Sequence, residues 1–405
     1  MNKKNLFLWS LYDFANSIVY ISFLLYFSQW LVIDGGLSDF WYNSIFAMAT
    51  VLLLFSAPML AAYVDKSGGG KFFLNWATIG TVVGYGCAAL LAHLGVVFVV
   101  WAAVAFLVGQ YFYQLSFVFY TPMLTQIAEP RYRARASGIG QFANALGQIT
   151  GVLVALPFAY SHAAPLFPSI ATFFVLALPM MIWLRDSRPK SPAALLPMVR
   201  SETTLFFKKL LAFLTTSAAT SFLAAYFFFN DALITLSNNY ALVLERMFAT
   251  PDSTKSLLLL GILIMSAIGG IIAGWVGEKV GVFKTLLGLL VCWVIMLPLL
   301  AAAPNFAVFA ALTVPVGLLI GSSYSTARVY LTELLRPEEM TYGFSLFTLF
   351  ERFASFVGPL TWGTTVVMFG GGGAAYRAAI LAMAVFMAIG LYILVSFKGK
   401  PLVSS

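Results

Sequence analysis

Long apolar runs interrupted by short charged clusters make up almost the whole chain. A helix that crosses a hydrocarbon core about 30 Å thick needs about 20 mostly apolar residues. Runs of that length, bounded by charges, Gly or Pro, fall at 6–33, 42–64, 72–92, 96–121, 136–158, 165–184, 217–243, 256–277, 284–303, 306–331, 342–369 and 376–397. The pattern predicts twelve spanning helices. The one long hydrophilic stretch begins RDSRPKSP at Arg185 and falls between the sixth and seventh runs. Its prolines and charges mark a linker, and LFFKKLLAFL after it reads as a helix lying along the membrane surface. The expected architecture is an all-α membrane protein of two six-helix bundles. These are residues 1–184 and 217–405, joined by a cytoplasmic linker with an interfacial helix at 185–216.

Composition agrees with the pattern. Of 405 residues, 61% are apolar and 9% charged, where a soluble domain carries about 25% charged residues. So few charges cannot clothe a water-soluble chain of this size, which excludes a cytosolic enzyme. The net charge of +8 reflects topology and not nucleic-acid binding. One side of the predicted membrane receives 18 Lys and Arg, the other receives only Arg246, Lys255 and Arg377, and Arg328 and Arg352 fall within spans. The positive-inside rule then puts both termini in the cytoplasm. Met1 to Lys4 lead into the first run without a small-residue cleavage site, so that run reads as a retained span. Cys87 and Cys292 lie inside apolar runs and read as small core hydrophobes. No spacing of His, Cys and carboxylates forms a metal site, no cofactor motif is present, and no catalytic constellation gathers at one depth. Membrane lipid is the expected surrounding and a monomer the expected state.

The two halves repeat each other. AAYVDKSGGGK at 61–71 and GWVGEKVGVFK at 274–284 follow spans two and eight. At a constant offset of 213, Asp65 matches Glu278, Lys66 matches Lys279, Gly68 matches Gly281 and Lys71 matches Lys284. Spans one and seven each carry a carboxylate beside an Asn and aromatic residues, in LYDFANS (11–17) and FFFNDAL (227–233).

Polar residues inside spans are costly and mark pathways, partners or sites. Asp13, Asn16, Ser17 and Tyr20 recur at i, i+3, i+4 and i+7, on one helix face. Asp231, Thr235 and Asn238 repeat that arrangement in span seven. Span four offers Gln110, Tyr113, Gln114, Phe117 and Thr121, and span ten offers Tyr324 and Arg328. Asp13 reads either as a solute or proton carboxylate or as a lock to a neighbouring helix, and Asp231 as a solute ligand or a helix–helix bond. Arg328 and Arg352 read either as guanidinium forks for a carboxylate or phosphate or as ion pairs with Glu333 and Glu351. Gly147 with Gly151, and Gly317 with Gly321, have the spacing of close helix crossings.

Twelve spans as six plus six, with acid-Lys-x-Gly-x-x-Lys after spans two and eight, resemble the major facilitator superfamily. LYDFANS, YFFFNDAL and GFSLFTLFERFASFVGPL (343–360) further resemble the vacuole-effluxer-like permeases, a group that includes the autophagy-associated vacuolar amino-acid effluxer. The resemblance implies a secondary transporter, not an enzyme, that works by alternating access and exports a small organic solute, with amino acids as the leading class. It implies that spans 1, 4, 7 and 10 line the cavity; the acids Asp13 and Asp231 in spans one and seven, with Arg328 and Arg352 in spans ten and eleven, would hold the two ends of a zwitterion. Proton coupling would run through Asp13 or Asp231. It also implies a cytoplasmic gate of Asp65, Lys66, Arg131, Arg133, Arg135, Glu278 and Lys279, in a bacterial inner membrane. The alternative within the same superfamily is a bulkier cargo such as a siderophore, drug or lipid.

Overall fold

A computed structural model describes residues 3–129, 133–184, 219–335, 346–347, 349–351 and 353–396. The linker at 185–216, Arg131 and Arg352 lie outside them, as do the side chains of Asp65, Lys66, Arg133 and Arg135. The helices are α1 (Lys3–Ser22), α2 (Asp39–Ser67), α3 (Gly70–Leu94), α4 (Val99–Tyr120), α5 (Arg133–Ala155), α6 (Leu166–Trp183), α7 (Ala219–Asn238), α8 (Asp252–Val280), α9 (Val282–Ala302), α10 (Phe306–Leu334), α11 (Val357–Met368) and α12 (Gly373–Ser396). Among the described residues, eleven helices are long and apolar enough to cross a membrane. Together with the outward-facing Phe55, Trp76, Trp101 and Trp275, they make this an integral multi-pass membrane protein. Cys87 and Cys292 are exposed, which corrects their reading as core residues: their apolar runs turn one flank outward.

Two spans depart from the continuous helices expected. The run at 342–369 is broken, with a turn at Ala354–Phe356 and α11 starting only at Val357. Pro359 explains the restart. Its ring would press on the carbonyl four residues back if the helix ran through, and its missing N–H costs nothing in a first turn. The run at 217–243 ends as a helix at Asn238, and after a turn at Asn239 a short helix, Tyr240–Phe248, follows. The first span has its own irregularity. Past Ser22 it widens into π turns at Phe23–Phe27 and Trp30–Asp34. Ser28 Oγ and Gln29 Nε2 donate back to the carbonyls of Leu24 and Leu25, each at 2.8 Å, so the loosened backbone stays satisfied without water.

The chain packs as two compact units. The first is Met1–Leu37 with Met48–Phe207, and the second is Ser38–Ala47 with Lys208–Ser405. In the first, α1 packs against α5 and α6, and α3 packs against α4. Gly147 and Gly151 on α5 meet α1 so closely that a Cβ on Gly151 would lie 2.9 Å from Ile18 Cα, and one on Gly147 would strike the Phe14 carbonyl. In the second, α7 packs against α12, and α8 against α10. There a Cβ on Gly317 would lie 2.8 Å from the Ile262 carbonyl, and one on Gly321 would overlap that of Ser266. Both glycine pairs thus serve as the spacing predicts.

The repeated turn has a conformational cause. Gly68, between α2 and α3, has φ 72°, and its counterpart Gly281, between α8 and α9, has φ 97°. Both backbones occupy the region that only glycine enters without strain. Lys71, at the end of the first copy, donates to the Ile182 carbonyl at 2.9 Å, at the carbonyl end of α6, where a cation is favourable.

Candidate functional site

In the first unit, α1 is the most enclosed span: 89% of its most apolar window is buried, against 28% for α4 and α5. Asp13, Asn16 and Ser17 are all buried, while Tyr20 is half-buried. Asp13 Oδ1 accepts from Asn144 Nδ2 at 3.0 Å, and Asn144 Oδ1 accepts from Gln148 Nε2 at 2.8 Å. The carboxylate is therefore tied to α5 through a two-amide relay. Neither Tyr12 nor Asn16 provides that tie. Tyr12 instead shares a 2.6 Å hydrogen bond with Thr78 on α3. Asn16 is 1% exposed, and neither end of its amide has a hydrogen-bond partner.

Aromatic contacts set α4 against α1. Trp9 stacks on Tyr120 at 4.6 Å and Tyr20 on Tyr113 at 5.6 Å. Trp9 Nε1 donates to the Tyr120 carbonyl, and the Tyr120 hydroxyl donates back to the Trp9 carbonyl, at 3.2 and 3.1 Å. Gln110 accepts from the Tyr85 hydroxyl at 2.7 Å. The side-chain oxygen of Gln114, also buried, has no partner. The predicted polar faces of spans one and four thus meet in one unit. Asn144, Gln148, Tyr85 and Thr78 join them unforeseen. The i, i+4 pairing of Asn144 and Gln148 inside an apolar run was the available signal.

In the second unit, Asn230, Asp231, Thr235 and Asn238 on α7 are all buried. Asp231 Oδ2 accepts from the Gly358 N–H at 2.7 Å. The carboxylate therefore satisfies one of the free donors at the start of α11, which makes a helix–helix bond. On α10, Ser322 and Ser323 are used in packing: one donates to the Gly269 carbonyl at 2.8 Å, the other accepts from Trp293 Nε1 at 3.0 Å. Tyr324 and Arg328 are half-buried one turn apart. The ion pair expected between Arg328 and Glu333 is not formed. Among the described residues Arg328 has no hydrogen-bonding or ion-pairing partner. Glu278 and Lys279 are exposed at the end of α8.

Two further polar clusters of the second unit had no sequence signal. The head of α2 is bound there. The Tyr42 hydroxyl donates to the Asn238 carbonyl at 2.8 Å, the amides of Asn43 and Asn239 bond each other reciprocally at 3.0 and 2.8 Å, and the Tyr376 hydroxyl donates to Asp39. Gly363 permits this approach, since a Cβ there would lie 2.7 Å from Phe40 Cα. Lys255, 1% exposed, is held by Glu245 at 2.6 Å and Asp252 at 2.8 Å.

Residues 222–404 match the family model described as Major Facilitator Superfamily. No curated protein matches the chain by sequence. Several solved structures are similar to it. A mutant form of the nucleoside transporter NupG superposes with TM-score 0.75 at 12% identity, covering 97% of this chain and 100% of that one. A bacterial homolog of the human lysosomal transporter Spinster, inward-facing and unoccupied, gives 0.72 at 15%, covering 96% of each. A POT family transporter in complex with 5-aminolevulinic acid gives 0.73 at 11%, covering 98% of this chain and 96% of that one. At these identities the likeness is one of fold: an all-α membrane architecture shared with these three structures.

Proposed function

We propose that the protein is a secondary transporter that carries a small organic solute across a membrane by alternating access. The preferred class is an amino acid or a similar zwitterion, moved outward and coupled to protons. The observation that carries this reading is the polar face of α1, where a buried carboxylate, Asp13, is held in place by Asn144 beside the unsatisfied amide of Asn16. A relay that fixes the orientation of a carboxylate suits recognition of an ammonium group. The unpaired Arg328 suits a carboxylate by its planar fork of donors. The motifs LYDFANS and YFFFNDAL support a place near the vacuole-effluxer-like permeases. In this reading Asn16, Ser17, Tyr20, Gln110, Tyr113, Gln114, Asp231, Thr235, Asn238, Tyr324, Arg328 and Arg352 surround the solute pathway. Asp65, Lys66, Arg131, Arg133, Arg135, Glu278 and Lys279 form the cytoplasmic gate. The protein works as a monomer in a bacterial inner membrane with both termini in the cytoplasm.

A thermal-melting screen of the detergent-purified protein against amino acids, dipeptides, sugars, nucleosides and siderophores tests the substrate class, since a ligand of the folded state raises Tm by mass action. The expected result is a shift with zwitterions that Asp13→Asn removes. A shift confined to bulky ligands would instead favour a larger cargo and defeat the pairing of Asp13 with an ammonium group.

A further inference from the structure

The break before α11 puts two kinds of backbone end beside one face of α7. On its far side, the first turn of α11 gives the Gly358 N–H to Asp231 Oδ2. On its near side, the Glu351 carbonyl accepts from Asn230 Nδ2 at 3.4 Å. Each contact uses only one atom of its side chain. Asp231 Oδ1, Asn230 Oδ1 and Thr235 Oγ1 are buried and have no hydrogen-bond partner, on residues that are each 0% exposed. Asp231 Oδ1 and Thr235 Oγ1 also converge, both lying within 2.6 Å of the point where a Cβ on Gly358 would stand. Only glycine at 358 leaves that room.

Buried polar atoms almost always have partners, so three unsatisfied oxygens within two turns of one helix need an explanation. The oxygens of Asp231 and Asn230 only accept, the Thr235 hydroxyl can accept as well as donate, and none of these three atoms has a partner. A bound cation would satisfy the converging Asp231 Oδ1 and Thr235 Oγ1 together. The charge is right for a monovalent ion: Asp231 is the carboxylate of the group, and it has no ion-pair partner among Arg328 on α10, Arg377 on α12 and the other described cations. A divalent ion would leave a net positive charge in an apolar surrounding, which is costly. An all-oxygen donor set of carboxylate and hydroxyl suits a hard cation. Discontinuous helices whose freed carbonyls turn toward such a site are a physical means of holding one inside a membrane.

We infer that Asp231 and Thr235, at the break before α11 and beside Asn230, form a sodium-ion site in the second unit. Its role would be to add a sodium gradient to the proton coupling, which then falls to Asp13, and only that role rests on the transporter reading. Binding itself requires no solute and is measured without one.

The experiment is thermal melting of the full-length purified protein as sodium chloride replaces choline chloride at constant ionic strength and pH. The wild type should show a saturable rise in Tm. Thr235→Val, which keeps the Asp231 cap on Gly358, and Asp231→Asn should each lose that rise while eluting as folded monodisperse protein. A rise of the same size in Thr235→Val, or a wild-type Tm that ignores sodium, would overturn the site. Intact sodium binding with no transport of any solute would instead count against the transporter reading alone.

Discussion

Replacing Gly321 with alanine adds one methyl group where α10 crosses α8. A Cβ at 321 would overlap the Ser266 carbonyl, which is backbone and cannot turn aside, and neighbouring Gly317 and Gly269 meet the facing helix almost as closely. The helices must therefore separate along the whole seam, and the contacts of all three glycines weaken together. Forcing extra atoms into a packed interior costs about 1–3 kcal/mol, and a backbone obstacle argues for the upper half. Alanine recovers up to about 1 kcal/mol through its better helix propensity. The expected net loss is therefore about 1–2 kcal/mol, or a fall in Tm of roughly 1–2 °C for a chain of 405 residues. Gly261, also within α8, gives the control, because nothing lies within 4 Å of a Cβ there. Gly261→Ala should be neutral or stabilising. Melting curves of both variants in one detergent decide the matter. Equal or higher Tm for Gly321→Ala would refute the claim that this seam depends on the missing side chain.

Other substitutions test the polar clusters. Lys255→Met leaves Glu245 and Asp252 without their shared cation and should cost about 3–5 kcal/mol, seen as a large fall in Tm; a change under 1 °C would mean that the ion pairs contribute little. Asn43→Leu and Asn239→Leu should each cost about 1–3 kcal/mol, because each orphans a buried amide. The double variant should cost clearly less than the two together, and strict additivity in melting measurements would deny that the amides are coupled. Asn144→Leu removes the donor to Asp13 and should weaken solute binding more than it lowers Tm. An unchanged Kd for a solute found in the screen would show that the relay does not prepare the carboxylate.

The elements that could be read from sequence are those whose cause is local. Length and hydrophobicity alone place the spans, because a bilayer imposes both. Gly68 and Gly281 stand out as a repeat because each enters a left-handed turn that the following helix requires. The crossing glycines announce themselves by spacing. Pro359, preceded by Gly358, carried the signal for the break before α11, yet a hydropathy count passes over it because both residues are compatible with an apolar run.

What could not be read depends on contacts between distant residues. Tyr42 finds Asn238 across 196 positions, and Asp39 finds Tyr376 across 337, so nothing around Asp39 foretells that the head of α2 packs with the second unit. Lys255 reads as a surface cation by topology. It becomes buried because the short helix Tyr240–Phe248 brings Glu245 back over it. The polar faces of α1 and α4 were visible as helical spacing, whereas the bond that orients Asp13 comes from α5. Periodicity shows which residues share a face and leaves open which neighbour that face meets.

The central claim is that this protein carries a solute, and solute counterflow in proteoliposomes tests it most directly. Vesicles containing purified protein and preloaded with an unlabelled amino-acid mixture should accumulate the matching labelled amino acid transiently, above protein-free vesicles. Asp13→Asn should slow or abolish that exchange for the same solute. Counterflow absent for every amino acid, with the protein correctly inserted and folded, would contradict the amino-acid reading; exchange unaltered by Asp13→Asn would remove Asp13 from the site.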